Sequence, residues 1–127
     1  EFRRVLFRSM DPALIKQVLI NLIRNASEAS TRPGIVRLRL RRDRVRLGGA
    51  SRDAAVIEVI DEGAGIPPDV EKRLFDPFFT TKESGTGLGL SIAARIVEKH
   101  GGVLQYQTLV GHGTTFGIGL PLAAANS

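Results

Sequence analysis

Apolar residues recur at helical spacing from Leu14 to Ala26. Leu14, Ile15, Val18, Leu19, Leu22, Ile23 and Ala26 form one broad stripe. Asp11-Pro12 ahead of it reads as an N-cap followed by Pro at the first helical position. Thr31-Arg32-Pro33-Gly34 closes it, so the pattern predicts a helix to about Ser30. The period then shortens. Val36, Leu38 and Leu40 alternate with Arg37, Arg39 and Arg41, which predicts a half-buried strand with one wet face. Residues 42–53 read as a loop with a turn at Gly48-Gly49, and Ala54–Ile60 as a second, more apolar strand. A Gly/Pro loop (61–68), a short helix (69–75) and an irregular polar loop (76–86) follow. A second long helix over 87–100 is closed by Gly101-Gly102. Strands over 103–109 and 114–122 are joined by the Gly111-His112-Gly113 turn. This order predicts an α/β fold: a two-layer sandwich with a mixed, mostly antiparallel sheet under about three helices.

Composition narrows the class. The chain has 127 residues, which suits one domain, and 43% hydrophobic residues, which suffices for a core. Residues 11–122 read as that domain and 123–127 as a tail. The first ten residues, EFRRVLFRSM, fit poorly ahead of a well-formed helix start; they read as a non-native or linker segment, with a native edge strand as the alternative. Cys is absent, which excludes disulfides, zinc fingers, cysteine nucleophiles and CxxC redox pairs. Two His residues leave little for a His-based metal site, and no Ser/His/Asp triad can be assembled from them. Both His stand beside Gly in turn-like settings with no evident partner and are expected to be solvated. No apolar run reaches the ~18 residues of a membrane span. No secretory signal is visible, so a cytoplasmic setting without direct membrane contact is expected. The net charge of +5 is local. It comes from Arg3, Arg4 and Arg8 and from Arg37, Arg39, Arg41, Arg42, Arg44 and Arg46. The second group alternates in part with core positions and has no interleaved aromatic for base stacking, so nucleic-acid binding is not expected.

Four segments can carry chemistry. Asn21 and Asn25 lie one helical turn apart at a margin of the apolar stripe, where a polar group can face a ligand. An amide oxygen can ligate a hard cation such as Mg²⁺; the plainer reading is a pair of helix-edge amides bonded to a neighbouring loop. In Asp61-Glu62-Gly63-Ala64-Gly65-Ile66-Pro67, a carboxylate ends an apolar strand and two glycines permit close backbone approach to a flat ligand. A buried carboxylate there would accept from an adenine amino group and repel the carbonyl oxygen of guanine; an ordinary turn is the alternative. Gly85-Thr86-Gly87-Leu88-Gly89-Leu90 leads into a helix and suits a phosphate cradle, with Lys82 upstream as a point charge. It is neither a P-loop nor a dinucleotide fingerprint. Gly111–Phe116 alone reads as a hairpin turn.

Taken in order, these segments resemble the catalytic, ATP-binding domain of bacterial two-component sensor histidine kinases, within the wider group that includes DNA gyrase B, Hsp90 and MutL. The resemblance runs from Asp11 to Leu122. It rests on an asparagine box (QVLINLIRNASEAS, 17–30), three glycine boxes (DEGAGIP, 61–67; GTGLGLSIA, 85–93; GHGTTF, 111–116) and a phenylalanine box (LFDPFFTTK, 74–82). FFTTKESGTGLGL most resembles the nitrogen-regulator and PAS-linked kinases. The resemblance implies the Bergerat ATP-binding fold. It implies that Asn25 ligates Mg²⁺ and that Asn21, Asn25 and Lys82 act at the phosphates. Asp61 would take the adenine amino group, with Gly63, Gly65 and Ile66 near the base and Thr114 supporting the Asp61 end. Lys82, Gly85, Thr86, Gly87, Leu88, Gly89 and Leu90 would hold the phosphates under a lid, which Phe75, Phe78 and Phe79 would anchor.

Relatives that hydrolyse ATP or phosphorylate serine carry Glu at the position of Asn21. An amide cannot take a proton, so Asn21 favours transfer to histidine, whose imidazole is already nucleophilic. The phosphoacceptor helix is absent from this sequence, and neither His100 nor His112 sits in such a motif. The expected partners are therefore ATP, a separate dimerisation and phosphoacceptor domain and, through it, a response regulator. The resemblance also allows a chain that is the cytoplasmic part of a membrane-bound sensor. An ATP-binding regulatory module without transferase activity, and an anti-sigma-type or other ATPase of the wider group, are the alternatives.

Overall fold

A computed structural model describes residues 11–29, 34–79 and 89–122. The elements run α1 (Pro12–Ala29), β1 (Arg37–Leu47), β2 (Ala50–Ile60), α2 (Pro68–Glu71), α3 (Gly89–Lys99), β3 (Val103–Leu109) and β4 (Gly113–Pro121). The four strands form one sheet in the order β1-β2-β4-β3. Every neighbouring pair is antiparallel. The expected mixed sheet is thus antiparallel throughout among the described residues, because two hairpins meet along β2 and β4 and no strand-helix-strand crossover joins neighbours.

The helix starts and stops follow from local chemistry. The Asp11 carboxylate accepts the Ala13 and Leu14 N–H groups at 3.0 and 3.4 Å, capping α1. Helix α3 ends on Gly101, at φ +76°. There the Gly102 N–H donates to the Val97 carbonyl at 3.0 Å and the Gly101 N–H to Glu98 at 2.9 Å, a Schellman closure. Both helices pack on one face of the sheet. Ile15, Val18, Leu22 and Ala26 of α1 meet Ala93 and Val97 of α3 over Val59, Phe116, Ile118 and Leu120. A smaller cluster, Leu47, Ala54 and Val56, lies on the opposite face.

Three sequence expectations change. Residues 42–53 are not a loop. Strands β1 and β2 continue through them and pair without a break from Arg37↔Ile60 to Leu47↔Ala50. The connection is Gly48-Gly49, both at positive φ (+61° and +86°), as a two-residue type I′ hairpin turn requires. Arginines on both faces hid the period-two pattern. Second, Leu38 and Leu40 are not half-buried: they point to the helix side, opposite Val59 and Ile57, yet stay 60% and 72% exposed. Strand β1 is at the sheet edge, and the helices pack over its neighbours. Third, the short helix is only Pro68–Glu71, followed by turns to Phe75.

Candidate nucleotide site

Asp61 follows the last residue of the inner strand β2, and Thr114 is the second residue of the inner strand β4. The ladder continues one step past Ile60↔Thr115, with the Asp61 N–H donating to the Thr114 carbonyl at 2.9 Å. This brings the Asp61 carboxylate back over the strand ends. Its Oδ1 accepts the Gly63 N–H at 2.9 Å and the Thr114 N–H at 3.1 Å. Asp61 and Thr114 are the buried polar residues among those described, each 5% exposed. Burying a carboxylate is costly unless its oxygens are satisfied. Here two backbone donors satisfy Oδ1, and the second carboxylate oxygen, Oδ2, is an acceptor in its own right.

The glycines around Asp61 serve the protein's own packing. A Cβ on Gly63 would lie 2.3 Å from the Ala29 carbonyl oxygen at the end of α1. A Cβ on Gly65, at φ +80°, would lie 2.5 Å from the Leu109 carbonyl oxygen, and one on Gly113, at φ +124°, 2.2 Å from that of Asp61. The first and third glycine boxes are thus pressed together backbone to backbone, with the Gly111 N–H donating to Ala64 at 2.8 Å. By sequence, Gly63 and Gly65 are expected to permit close approach of a flat ligand. In the structure the side-chain direction of each is filled by Ala29 or Leu109. Ile66 packs against the main core, and its N–H is bonded to Thr108 Oγ1 at 2.8 Å.

Asn21 and Asn25 are both half-buried on α1. The Asn21 amide donates to the Gly89 carbonyl at 2.7 Å, which ties the asparagine box to the first residue of α3. A Cβ on Gly89 would lie 2.9 Å from that amide, so glycine lets the two helices close here. Leu90 is half-buried and packs on the core. Lys82, Gly85, Thr86, Gly87 and Leu88 lie outside the described residues. Among the described residues no group of three or more His, Cys, Asp and Glu could hold a metal ion. An amide oxygen such as that of Asn25, together with phosphate oxygens, is a donor set suited to a hard cation such as Mg²⁺.

Two side-chain expectations need correction. Phe75 does anchor its segment to the core, its ring tilted at 52° against Tyr106 at 5.8 Å, which in turn lies 5.7 Å from Phe116. Phe79 lies under the Arg73 guanidinium at 4.6 Å. Phe78, however, is 75% exposed at φ +68°, so the turn points it away from the core. His100 is not a solvated, partnerless residue. Its Nδ1 lies 2.7 Å from the Ile96 carbonyl oxygen, and its Nε2 accepts the Asp11 N–H at 2.9 Å. The ring therefore links the end of α3 to the start of α1, a bond between residues 89 apart that no local pattern shows. Tyr106 was also missed. Its hydroxyl donates to Glu71 at 3.1 Å, and burial, with the Glu71 carboxylate beside it, pushes its pKa up.

Residues 10–124 match the family of histidine kinase-, DNA gyrase B- and HSP90-like ATPases, and the chain belongs to it. It is 42% identical over 118 residues to the sensory histidine kinase/phosphatase NtrB of Rhodobacter capsulatus, which covers 89% of this chain and 33% of that protein. It is 40% identical over 114 residues to the sensor histidine kinase ZraS of Salmonella typhimurium, covering 90% of this chain and 23% of that protein. The chain thus spans a third or less of these curated relatives. Among solved structures, the catalytic domain of the histidine kinase ThkA in a nucleotide-free form superimposes with a TM-score of 0.71 at 36% identity, covering 89% of this chain and 69% of that one. The mycobacterial sensor histidine kinase MprB gives 0.70 at 32%, covering 88% and 72%. The chain corresponds to the ATP-binding catalytic domain of a sensor histidine kinase.

Proposed function

We propose that this chain binds Mg-ATP and donates its γ-phosphoryl group to a histidine on a separate dimerisation and phosphoacceptor domain. The carrying observation is the buried Asp61 carboxylate, held on Oδ1 by two backbone donors at the meeting point of the first and third glycine boxes. Oδ2 would accept from the exocyclic amino group of adenine. Guanine places an acceptor there, and two acceptors facing each other in a dry site are strongly disfavoured.

Each matching residue then has a role. Gly63, Gly65 and Ile66 shape the wall beside the base, and Thr114 orients Asp61. Asn21 lines the site near the phosphates at the start of α3. The backbone of Gly85, Thr86, Gly87, Leu88, Gly89 and Leu90, with Lys82, holds the phosphates. Asn25 would hold Mg²⁺ by its amide oxygen, and the bound ion would neutralise charge building on the phosphates. An amide at position 21 offers no general base, which suits an imidazole nucleophile and gives water no activation. Positioning and electrostatics carry the rest of the rate.

A cytoplasmic setting fits this role, and no described helix is long and apolar enough to cross a membrane. The decisive experiment adds γ-labelled ATP and a purified phosphoacceptor domain to the chain. Acid-labile label on that domain's histidine is the expected result. Saturable ATP binding with no transfer to any supplied phosphoacceptor domain would favour a regulatory module instead. Phosphate release without an acceptor would favour an ATPase.

A further inference from the structure

Thr108, near the end of β3, places one hydroxyl where three groups converge. Its Oγ1 accepts the Ile66 N–H at 2.8 Å, lies 2.8 Å from Thr114 Oγ1 and lies 3.4 Å from the Gly113 carbonyl oxygen. Ile66 belongs to the loop that follows Asp61. Thr114, directly across the ladder from Thr108, gives its backbone N–H to Asp61 Oδ1. A hydroxyl carries one proton and two acceptor sites, so it can take the Ile66 N–H and still bond across the ladder. A methyl in its place would leave the Ile66 N–H without a partner in a half-buried position.

We propose that Thr108 is a positioning residue for base recognition. It holds the loop after Asp61 and the strand residue beside Asp61 in one frame. The carboxylate is thereby kept aimed so that Oδ2 discriminates an amino group from a carbonyl oxygen. Thr108 acts through Ile66 and Thr114 and does not itself meet the nucleotide. The role needs the hydroxyl and not the methyl, so Ser serves and Val does not. The proposal rests on Asp61 being the adenine-binding carboxylate.

The test compares Thr108→Val and Thr108→Ser with the parent chain in two measurements. Calorimetric titration with non-hydrolysable ATP and GTP analogues reads the specificity. Thr108→Val is expected to bind the ATP analogue about three- to tenfold more weakly, the range of one lost hydrogen bond, while the GTP analogue moves by less than about twofold. The adenine preference therefore falls, and Thr108→Ser restores it. A merely structural role would weaken both analogues by one common factor and leave their ratio unchanged, which would overturn the proposal. Hydrogen exchange at the Ile66 amide, read without nucleotide, is expected to speed up about tenfold in the Val variant and to stay at the parent rate in the Ser variant. Unchanged exchange in the Val variant would overturn the proposal whatever the binding data show. A parent chain that binds neither analogue, with the exchange result as expected, would mark the adenine reading as the part that failed and remove base positioning with it.

Discussion

At the scale of single residues, the site is a problem of satisfying one buried carboxylate. Asp61 Oδ1 takes two backbone N–H groups, and the side chain can keep that arrangement as Asn by presenting its amide oxygen to the same donors. The amide nitrogen would then stand where Oδ2 stood, offering a donor to a base that also offers one. Asp61→Asn is therefore expected to fold and to lose about ten- to a hundredfold in affinity for an ATP analogue, the range of a hydrogen bond to a charged group. Its preference over the GTP analogue should shrink, and calorimetry with both analogues measures each effect. Gly113 tests the packing side of the same site. A Cβ there would stand 2.2 Å from the Asp61 carbonyl oxygen, on a backbone at φ +124°. Gly113→Ala is expected to destabilise the chain by about 2–4 kcal/mol, since backbone strain and a clash with main chain add together. Thermal unfolding would show this, and a change under about 0.5 kcal/mol would mean the hairpin relaxes freely.

At the scale of elements, the β1–β2 hairpin carries its own electrostatics. On the face away from the helices, Glu58 accepts from Arg39 at 2.7 Å and from Arg41 at 3.3 Å, and Arg41 also pairs with Asp43. On the other face Arg42 pairs with Asp53 at 2.9 Å. The Arg39 guanidinium, with Arg41 beside it, holds the Glu58 carboxyl below its usual range. A carboxyl lowered on folding stabilises the fold above its unfolded pKa and loses that contribution as pH falls through the folded value. Glu58 is 13% exposed, but Arg39 and Arg41 are 59% and 39% exposed, so solvent screening keeps the contribution to about 1 kcal/mol. Glu58→Gln is expected to cost about that much at neutral pH and almost nothing at an acid pH below the lowered folded value, where Glu58 is itself protonated. Urea unfolding at the two pH values compares them, and an equal cost at both would show that the contact is packing and not charge. The helices are joined by different means: α3 is tied to α1 at one end by Asn21–Gly89 and at the other by His100–Asp11.

At the scale of the whole molecule, one apolar layer between helices and sheet carries the fold. Leu22 is fully buried, beneath α1 and within reach of residues from α3, β2 and β4. Leu22→Ala is expected to cost about 3 kcal/mol, mid-range for a buried leucine truncation. Because the same layer supports α1 and α3 together, nucleotide affinity should fall along with thermal stability. A variant that lost stability while binding ATP analogue like the parent would show that the asparagine and glycine boxes do not depend on this layer for their alignment.

Much of this was legible from the chain alone, because it follows from local physics. The stripe from Ile15 to Ala26, the Asp11-Pro12 start and the Gly101-Gly102 stop depend on neighbours a turn away. The resemblance of the glycine boxes to those of the family likewise marked Asp61, Thr114 and Gly89 before any distance was known. The long hairpin was harder to read, since arginines on both strand faces erased the alternation that marks a strand, and pairing with β2 set Glu58 and Asp53 beside several of them. Tertiary structure decided what the glycines are for. At Gly63, Gly65, Gly89 and Gly113 a side chain would meet Ala29, Leu109, Asn21 or Asp61, contacts made across long stretches of chain. It also decided the partners of His100, the outward turn of Phe78, the exposure of Leu38 and Leu40 and the meeting of Thr108, Ile66 and Thr114. Residue type and spacing state which groups a segment can offer; which of them is satisfied, buried or left to bind something else depends on what the rest of the chain brings alongside.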